Sequence, residues 1–299
     1  MAWQLAGRLG RVLLRAFCKR PPEASKSTVE LDSELPAPDA GKLERRFGRD
    51  VWREFQGAAV VDFGCGSGRD AVAAAMRGAR RVIGIDIQEH RLAAARTMAA
   101  ASGVLDRCLF LNATTQAEEV AGLCGADVVY SLDAFEHFDD PATVLARMFQ
   151  LLAPGGRLLV AFGPPWKNPY GSHLRYMTDL PWAHLLFSEA TVMAVRARYR
   201  PDGARRYADC PGGLNGLTVR RFRRLAAASG FEIDELRTVP LSTAFSECRG
   251  LWTRVFQHPW LVEYFTSIVV ARMIRPAAAG SPADDPSGRA RRATGATAG

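Results

Sequence analysis

The chain has 299 residues, 48% hydrophobic and 23% charged, enough apolar material for one large α/β domain or one domain with an insertion. No stretch approaches the roughly 20 apolar residues that span a bilayer. The net charge of +8 sits mostly at the ends: residues 1–20 carry Arg8, Arg11, Arg15, Lys19 and Arg20 with no acid, and residues 275–299 add +2. The body, 21–274, is left at +1, which gives no basis for a nucleic-acid partner.

Six cysteines (Cys18, Cys65, Cys108, Cys124, Cys210, Cys248) form no CxxC pair and no metal spacing. They read as free thiols in a reducing, cytoplasmic setting, with no metal expected.

Residues 1–20 pattern as a basic amphipathic helix. Gln4, Arg8, Arg11 and Arg15 share one face, and Leu5, Leu9, Val12, Leu13, Ala16 and Phe17 form the opposite stripe. Three readings fit: peripheral contact with an anionic membrane, an organelle-targeting segment, or a helix packed on its own domain. Residues 21–40, rich in proline, serine and acid, read as a linker. Lys42 to Phe55 has helical spacing and leads into the central strand.

Val60-Val61-Asp62-Phe63 runs straight into Gly64-Cys65-Gly66-Ser67-Gly68, and Ala71 to Met76 continues as a helix. This is a buried strand, a tight turn and a helix N-terminus, where backbone N–H groups can meet a polar ligand. A second strand, Val82-Ile83-Gly84-Ile85, ends in Asp86, placed to accept hydrogen bonds from ribose hydroxyls. Further strands are expected at 107–112, 126–131, 157–162, 231–239 and 264–272, with helices at 88–101, 141–152 and 220–229. Pro154-Gly155-Gly156 reads as the turn into the fifth strand, and Thr218 as an N-cap.

Strands alternating with helices imply an α/β fold of three layers, doubly wound around a mostly parallel sheet. Gly64, Asp86, Asn112 and Asp133 all fall at C-terminal strand ends, where such folds bind ligands.

With these residues in place, the sequence resembles the class I S-adenosylmethionine-dependent methyltransferases, the broad group that includes quinone and other small-molecule methylases. The resemblance rests on VVDFGCGSG at 60–68, VIGID at 82–86, DVVYSLDAFEHFDDP at 127–141 and LLAPGGRLLVAF at 151–162. It implies a Rossmann-like methyltransferase fold that binds S-adenosyl-L-methionine and transfers its methyl group to a small, apolar or aromatic acceptor.

The implied cofactor residues are Asp62 for the amino group, and Gly64, Cys65, Gly66 and Gly68 along the methionine and ribose. Asp86 and Ile87 would meet the ribose side, Asn112 and Ala113 the adenine, and Ser131, Leu132 and Asp133 the neighbourhood of the sulfonium. Asn112 departs from relatives that often carry an acid there. The last two strands would form the antiparallel edge of the sheet.

The implied division is a cofactor-binding core at 41–162, a lid or substrate insertion after the fifth strand at 163–217, the rest of the core sheet at 218–275 and a disordered tail at 276–299. The insertion is rich in aromatics (Trp166, Tyr170, Tyr176, Trp182, Phe187), which suits an apolar or ring-containing acceptor. A satellite core beneath a long insertion is the competing reading. Asn168-Pro169-Tyr170 looks like the turn of nucleic-acid amino-methylating enzymes, but it follows the fifth strand rather than the fourth, so that role is not carried over.

For a hydroxyl acceptor, His173, His137 and His184 are the candidate bases, with Tyr170 and Asp133 behind them. His173 is favoured as proton acceptor because it lies in the insertion beside Tyr170. Two other functions remain open on the sequence. A nicotinamide-dependent oxidoreductase fits less well, because position 69 is arginine where its fingerprint wants glycine. A non-catalytic membrane-surface protein with a ligand-binding domain of this fold is motivated by residues 1–20.

Overall fold

The computed structural model describes residues 4–21, 38, 41–210, 212–241 and 258–277. The 21–40 linker and the 276–299 tail lie outside the described residues, apart from residues 21, 38, 276 and 277.

Seven strands form one sheet: β1 Ala59–Phe63, β2 Arg81–Asp86, β3 Cys108–Asn112, β4 Ala126–Leu132, β5 Leu152–Phe162, β6 Glu232–Pro240 and β7 Thr266–Ile274. Their order is β3-β2-β1-β4-β5-β7-β6. The first five are parallel, and β7 pairs antiparallel with both β5 and β6. The antiparallel edge is therefore where the sequence placed it.

The pleat sorts neighbouring residues to opposite faces. Val60, Val82, Val128, Tyr130 and Leu159 join one core, and Val61, Ile83, Val129, Leu158 and Val160 join the other. The first core is closed by α2 Gly41–Phe47, α3 Val51–Phe55, α4 Arg69–Met76 and α5 Glu89–Ala101. The second is closed by α6 Ala117–Gly122, α7 Pro141–Leu151 and, after α8 Ala183–Leu186 and α9 Glu189–Arg196, by α10 Val219–Ala228.

The helix expected over 42–55 is two helices, because Gly48 sits at φ 82°, a left-handed conformation glycine adopts freely. Thr218 does cap α10, its hydroxyl accepting from Arg221 N at 3.1 Å. β5 is longer than expected: residues 152–156 continue as strand, with a register shift against β4 between Ala126 and Val128.

A third, smaller core joins α1 Gly7–Ala16 to the segment between β5 and α10, which contains α8 Ala183–Leu186 and α9 Glu189–Arg196. It buries Leu14 with Leu174, Met177, Phe187, Val192, Tyr199 and Tyr207. Leu5 bridges Phe187 and Cys18 bridges Thr178, so both ends of α1 are stitched to this segment. Among the described residues no helix is long and apolar enough to cross a membrane. Five described cysteines are free; Cys248 lies outside the described residues.

Candidate active site

The strand order reverses between β1 and β4, so the crevice above their C-terminal ends is the expected ligand position for an open parallel sheet. The glycine turn after β1 lies there. Gly64, Gly66 and Gly68 have φ of 85°, 52° and 76°, all left-handed. Their neighbours differ. A Cβ on Gly64 would stand 2.7 Å from the Ala134 side chain, and one on Gly68 would stand 2.5 Å from that of Ala95. A Cβ on Gly66 would meet only the tip of Arg91, at 3.6 Å. Two glycines thus permit close packing of the turn, and Gly66 leaves open space beside the backbone.

The Asp86 carboxylate spans the turn. One oxygen accepts from Gly66 N at 2.9 Å and the other from Gln88 N at 2.9 Å. Each oxygen keeps lone-pair capacity for a further donor. Ile87 beside it is exposed.

Asp62 is buried at the end of β1. Burial, reinforced by the Asp70 and Asp86 carboxylates, pushes its carboxyl well above the ordinary range, against the relief given by the Tyr130 hydroxyl. Burial and the same acidic surroundings also push the Cys65 thiol up. This crevice favours a cationic ligand.

Asn112 is buried, and its amide is committed locally. Its nitrogen donates to Ile87 O and Glu89 Oε2, and its oxygen accepts from Thr114 N and Thr115 N. It shapes the loop beside Ala113.

At the end of β4, Ser131 and Leu132 are buried, and the Ser131 hydroxyl has no hydrogen-bond partner among the described residues. Asp133 takes φ 50°, a strained conformation for a residue with a side chain. Its carboxylate pairs with Lys42 at 2.9 Å and lies 3.9 Å from Arg46, so α2 closes over this strand end.

A short 3-10 turn, Phe135–His137, follows. It is clamped by Asn215, whose amide donates to Phe135 O at 2.9 Å and Phe138 O at 2.7 Å. Glu136 is buried; one carboxyl oxygen accepts from Gly163 N at 3.3 Å, and the other has no partner among the described residues. Burial, with Asp133 nearby, pushes its carboxyl up to about 8.

His137 and His173 come together, with ring centroids 5.5 Å apart. His137 Nδ1 contacts Gly213 O at 2.7 Å. His173 has φ 56°, and its Nε2 is buried without a hydrogen-bond partner among the described residues. Burial, then the neighbouring His137, holds His173 down to about 4, so it is neutral at pH 7.

Both histidines line a cavity of about 340 Å³ closed by the 163–217 segment. Leu174, Tyr207 and Leu214 supply apolar wall, and Tyr176, Arg196 and Arg200 also line it. The Tyr207 hydroxyl is also buried and unpartnered among the described residues. Arg196 is held by Asp202 in a bidentate pair, 2.7 and 2.6 Å.

Tyr170 does not line this cavity. Its ring carries the Arg175 guanidinium at 4.9 Å. His184 meets the Trp166 ring edge-on and contacts Trp166 O at 2.6 Å. Asn168 is buried and donates to Thr266 O at 2.8 Å, which ties the segment to β7.

A family model described as a methyltransferase domain matches residues 60–156. Over these residues, about a third of its length, the chain is similar to a methyltransferase domain. The match runs from β1 through the glycine turn, Asp86 and the end of β4 into β5.

The ubiquinone biosynthesis O-methyltransferase of Pseudomonas aeruginosa (strain UCBPP-PA14) is 41% identical over 105 residues, 35% of this chain and 44% of that protein. The protein of the same name from Neisseria meningitidis serogroup C (strain 053442) is 36% identical over 123 residues, 40% of this chain and 49% of that protein. This chain therefore spans less than half the length of each. A solved S-adenosylmethionine-dependent methyltransferase from Mesorhizobium loti matches with a TM-score of 0.47 at 20% identity, over 75% of this chain and 96% of that one.

With a methyltransferase domain matched over the glycine turn and Asp86, the crevice fits S-adenosylmethionine as cofactor. The ligand carries two positive centres, and three carboxylates (Asp62, Asp70, Asp86) act on one another here. The space beside Gly66 lets it approach the backbone.

Glu136, Tyr207, Arg196 and Arg200 escaped sequence reasoning. Glu136 had one signal: an acid enclosed by Phe135 and Phe138 directly after a strand. The other three sit in a segment whose path the sequence does not dictate.

Proposed function

We propose that this methyltransferase transfers a methyl group to a hydroxyl of a small, apolar or ring-containing molecule held between the end of β4 and the 163–217 segment, which acts as a lid. One observation carries the reading: an apolar-walled cavity of about 340 Å³ beside the methyltransferase core, lined by His137, His173 and Tyr207. An apolar pocket with a few convergent polar side chains suits a small ligand fixed by its hydroxyl.

The cofactor supplies a methyl group activated on a positive sulfur. Asp62 and Asp86 hold its charged and ribose ends, and the turn at Gly66 lets it lie against the backbone. The chain's remaining work is orientation, exclusion of water and removal of one proton. His173, neutral at pH 7, accepts that proton at Nε2, while His137, anchored on Gly213 O, meets its ring edge-on. The relatives named O-methyltransferases support oxygen as the acceptor atom. Peripheral contact of residues 1–20 with an anionic membrane belongs to the same reading, supported by five cations and no acid.

The test is a panel of phenols, catechols and hydroxyquinones incubated with methyl-labelled cofactor. At least one member should take up label, and His173→Ala should lower its turnover by about 100-fold or more. Affinity for S-adenosylhomocysteine should stay within about twofold of the parent. Equal turnover by parent and variant would remove His173 from the chemistry.

A further inference from the structure

Three faces of α1 point in different directions. The edge with Gly10 and Leu14 is buried against the 163–217 segment. A Cβ on Gly10 would stand 3.3 Å from the Thr191 side chain on α9, so this edge is a close contact. Arg8, Arg11 and Arg15 line a second face. The third holds Leu9, Val12, Leu13 and Phe17, which are 66, 63, 37 and 58% exposed. A helix that only needed to pack on its own domain would turn these four inward. Instead the fold buries Gly10 and Leu14 and leaves these four side chains outside.

We infer that α1 is a docking strap that lays the Leu9, Val12, Leu13 and Phe17 face into an anionic lipid bilayer, with the cavity-bearing segment against the same lipid surface. This extends the reading above in naming the face and the orientation, and it rests on that reading for the cavity's role. The charge selects the partner. An apolar stripe flanked by Arg8, Arg11 and Arg15 with no acid from 1 to 20 matches an anionic interface.

The attachment fixes the orientation. Lys19 N donates to Met177 O at 2.8 Å, and Lys19 Nζ donates to Arg175 O at 2.6 Å and pairs with Asp179 at 3.0 Å. The Tyr199 hydroxyl donates to Lys19 O at 2.5 Å. The residues gripping the end of α1 thus adjoin Tyr176 and Arg200, the exposed part of the cavity wall.

The test uses the full chain and vesicles of phosphatidylcholine, with and without phosphatidylglycerol. The parent should float with the anionic vesicles and stay below with the neutral ones. Leu9→Gln/Val12→Gln/Phe17→Gln should abolish flotation. Arg8→Gln/Arg11→Gln/Arg15→Gln should cut partitioning on the order of 100-fold, each arginine near an anionic surface contributing about fivefold. Because all six side chains lie outside the core, unchanged S-adenosylhomocysteine binding in both variants establishes that they fold.

Hydrogen exchange should slow on vesicle binding along α1 and at 175–179 and 197–200, and be unchanged at 153–157. A parent that stays in the soluble fraction, or an apolar variant that floats like the parent, overturns the proposal. A dimer that the apolar variant splits would make a second copy the occupant, and protection at 153–157 would overturn the orientation. None of these readouts needs cofactor or turnover. A parent that floats but binds no S-adenosylhomocysteine therefore contradicts the catalytic reading while leaving the docking intact.

Discussion

Two carboxyls with opposite roles stand within the crevice. Asp86 is half-buried and already accepts two backbone N–H bonds, with lone-pair capacity left for a further donor. Removing it with Asp86→Ala should raise the dissociation constant for S-adenosylhomocysteine by about 10- to 100-fold, since hydrogen bonds to a charged group contribute about 1.5–3 kcal/mol. Glu136 is buried with one oxygen unpartnered among the described residues, and its carboxyl is pushed up to about 8. The folded chain then holds a proton between pH 4.5 and 8 that the unfolded chain releases, so Glu136 lowers stability as pH rises through that window. Glu136→Gln should melt at nearly the parent temperature at pH 5 and above it at pH 8, with a difference of up to a few kcal/mol at about 1.4 kcal/mol per unit. Parallel melting curves across that range would contradict the assignment. His173 and His184 act in the opposite sense. Both are held down to about 4, so the unfolded chain binds their protons first and stability falls as pH drops from 6.5 toward 4. Turnover should accordingly show no His173 limb near pH 6.5 in the free enzyme.

The glycine turn shows how one element serves packing and binding at once. Gly68→Ala would push a methyl group into the Ala95 side chain on α5 at 2.5 Å, with Phe110 at 3.0 Å, in a left-handed backbone. Gly66→Ala adds the same backbone strain, about 1–3 kcal/mol, but meets nothing closer than 3.6 Å. Thermal melts should therefore rank Gly68→Ala well below Gly66→Ala, and Gly66→Ala should weaken cofactor binding by more than its melting loss suggests. Equal melting losses would mean that the turn relaxes and the two glycines are equivalent. Much of this element was legible in the sequence. Three alternating glycines after a β-branched run demand left-handed backbone, and an acid at the end of the next parallel strand falls beside that turn by register. What could not be read was which glycine faces open space, because that depends on Ala95 and Ala134 arriving from distant elements.

Across the whole molecule, the parallel half of the sheet and its helices followed from hydrophobic period and spacing, because each strand's alternating residues must reach both layers. The region from 163 to 217 did not. Its prolines, glycines and aromatics carry no period, and its core depends on Leu14, about 160 residues away in the chain. His137 and His173 were both named from the sequence. Their meeting, and the separation of Tyr170 from them, depend on contacts such as Asn215 with Phe138 and Arg175 over Tyr170. Leu14→Ala should cost about 2–5 kcal/mol and loosen 174–207 in hydrogen exchange, while cofactor affinity holds, because the glycine turn belongs to a different core. The central claim is that the crevice above β1, β2 and β4 holds S-adenosylmethionine. Calorimetric titration of the folded chain with S-adenosylhomocysteine tests it most directly. One saturable site, at least tenfold weaker in Asp86→Ala, is the predicted result; no heat at saturating ligand and no shift in melting temperature would contradict it.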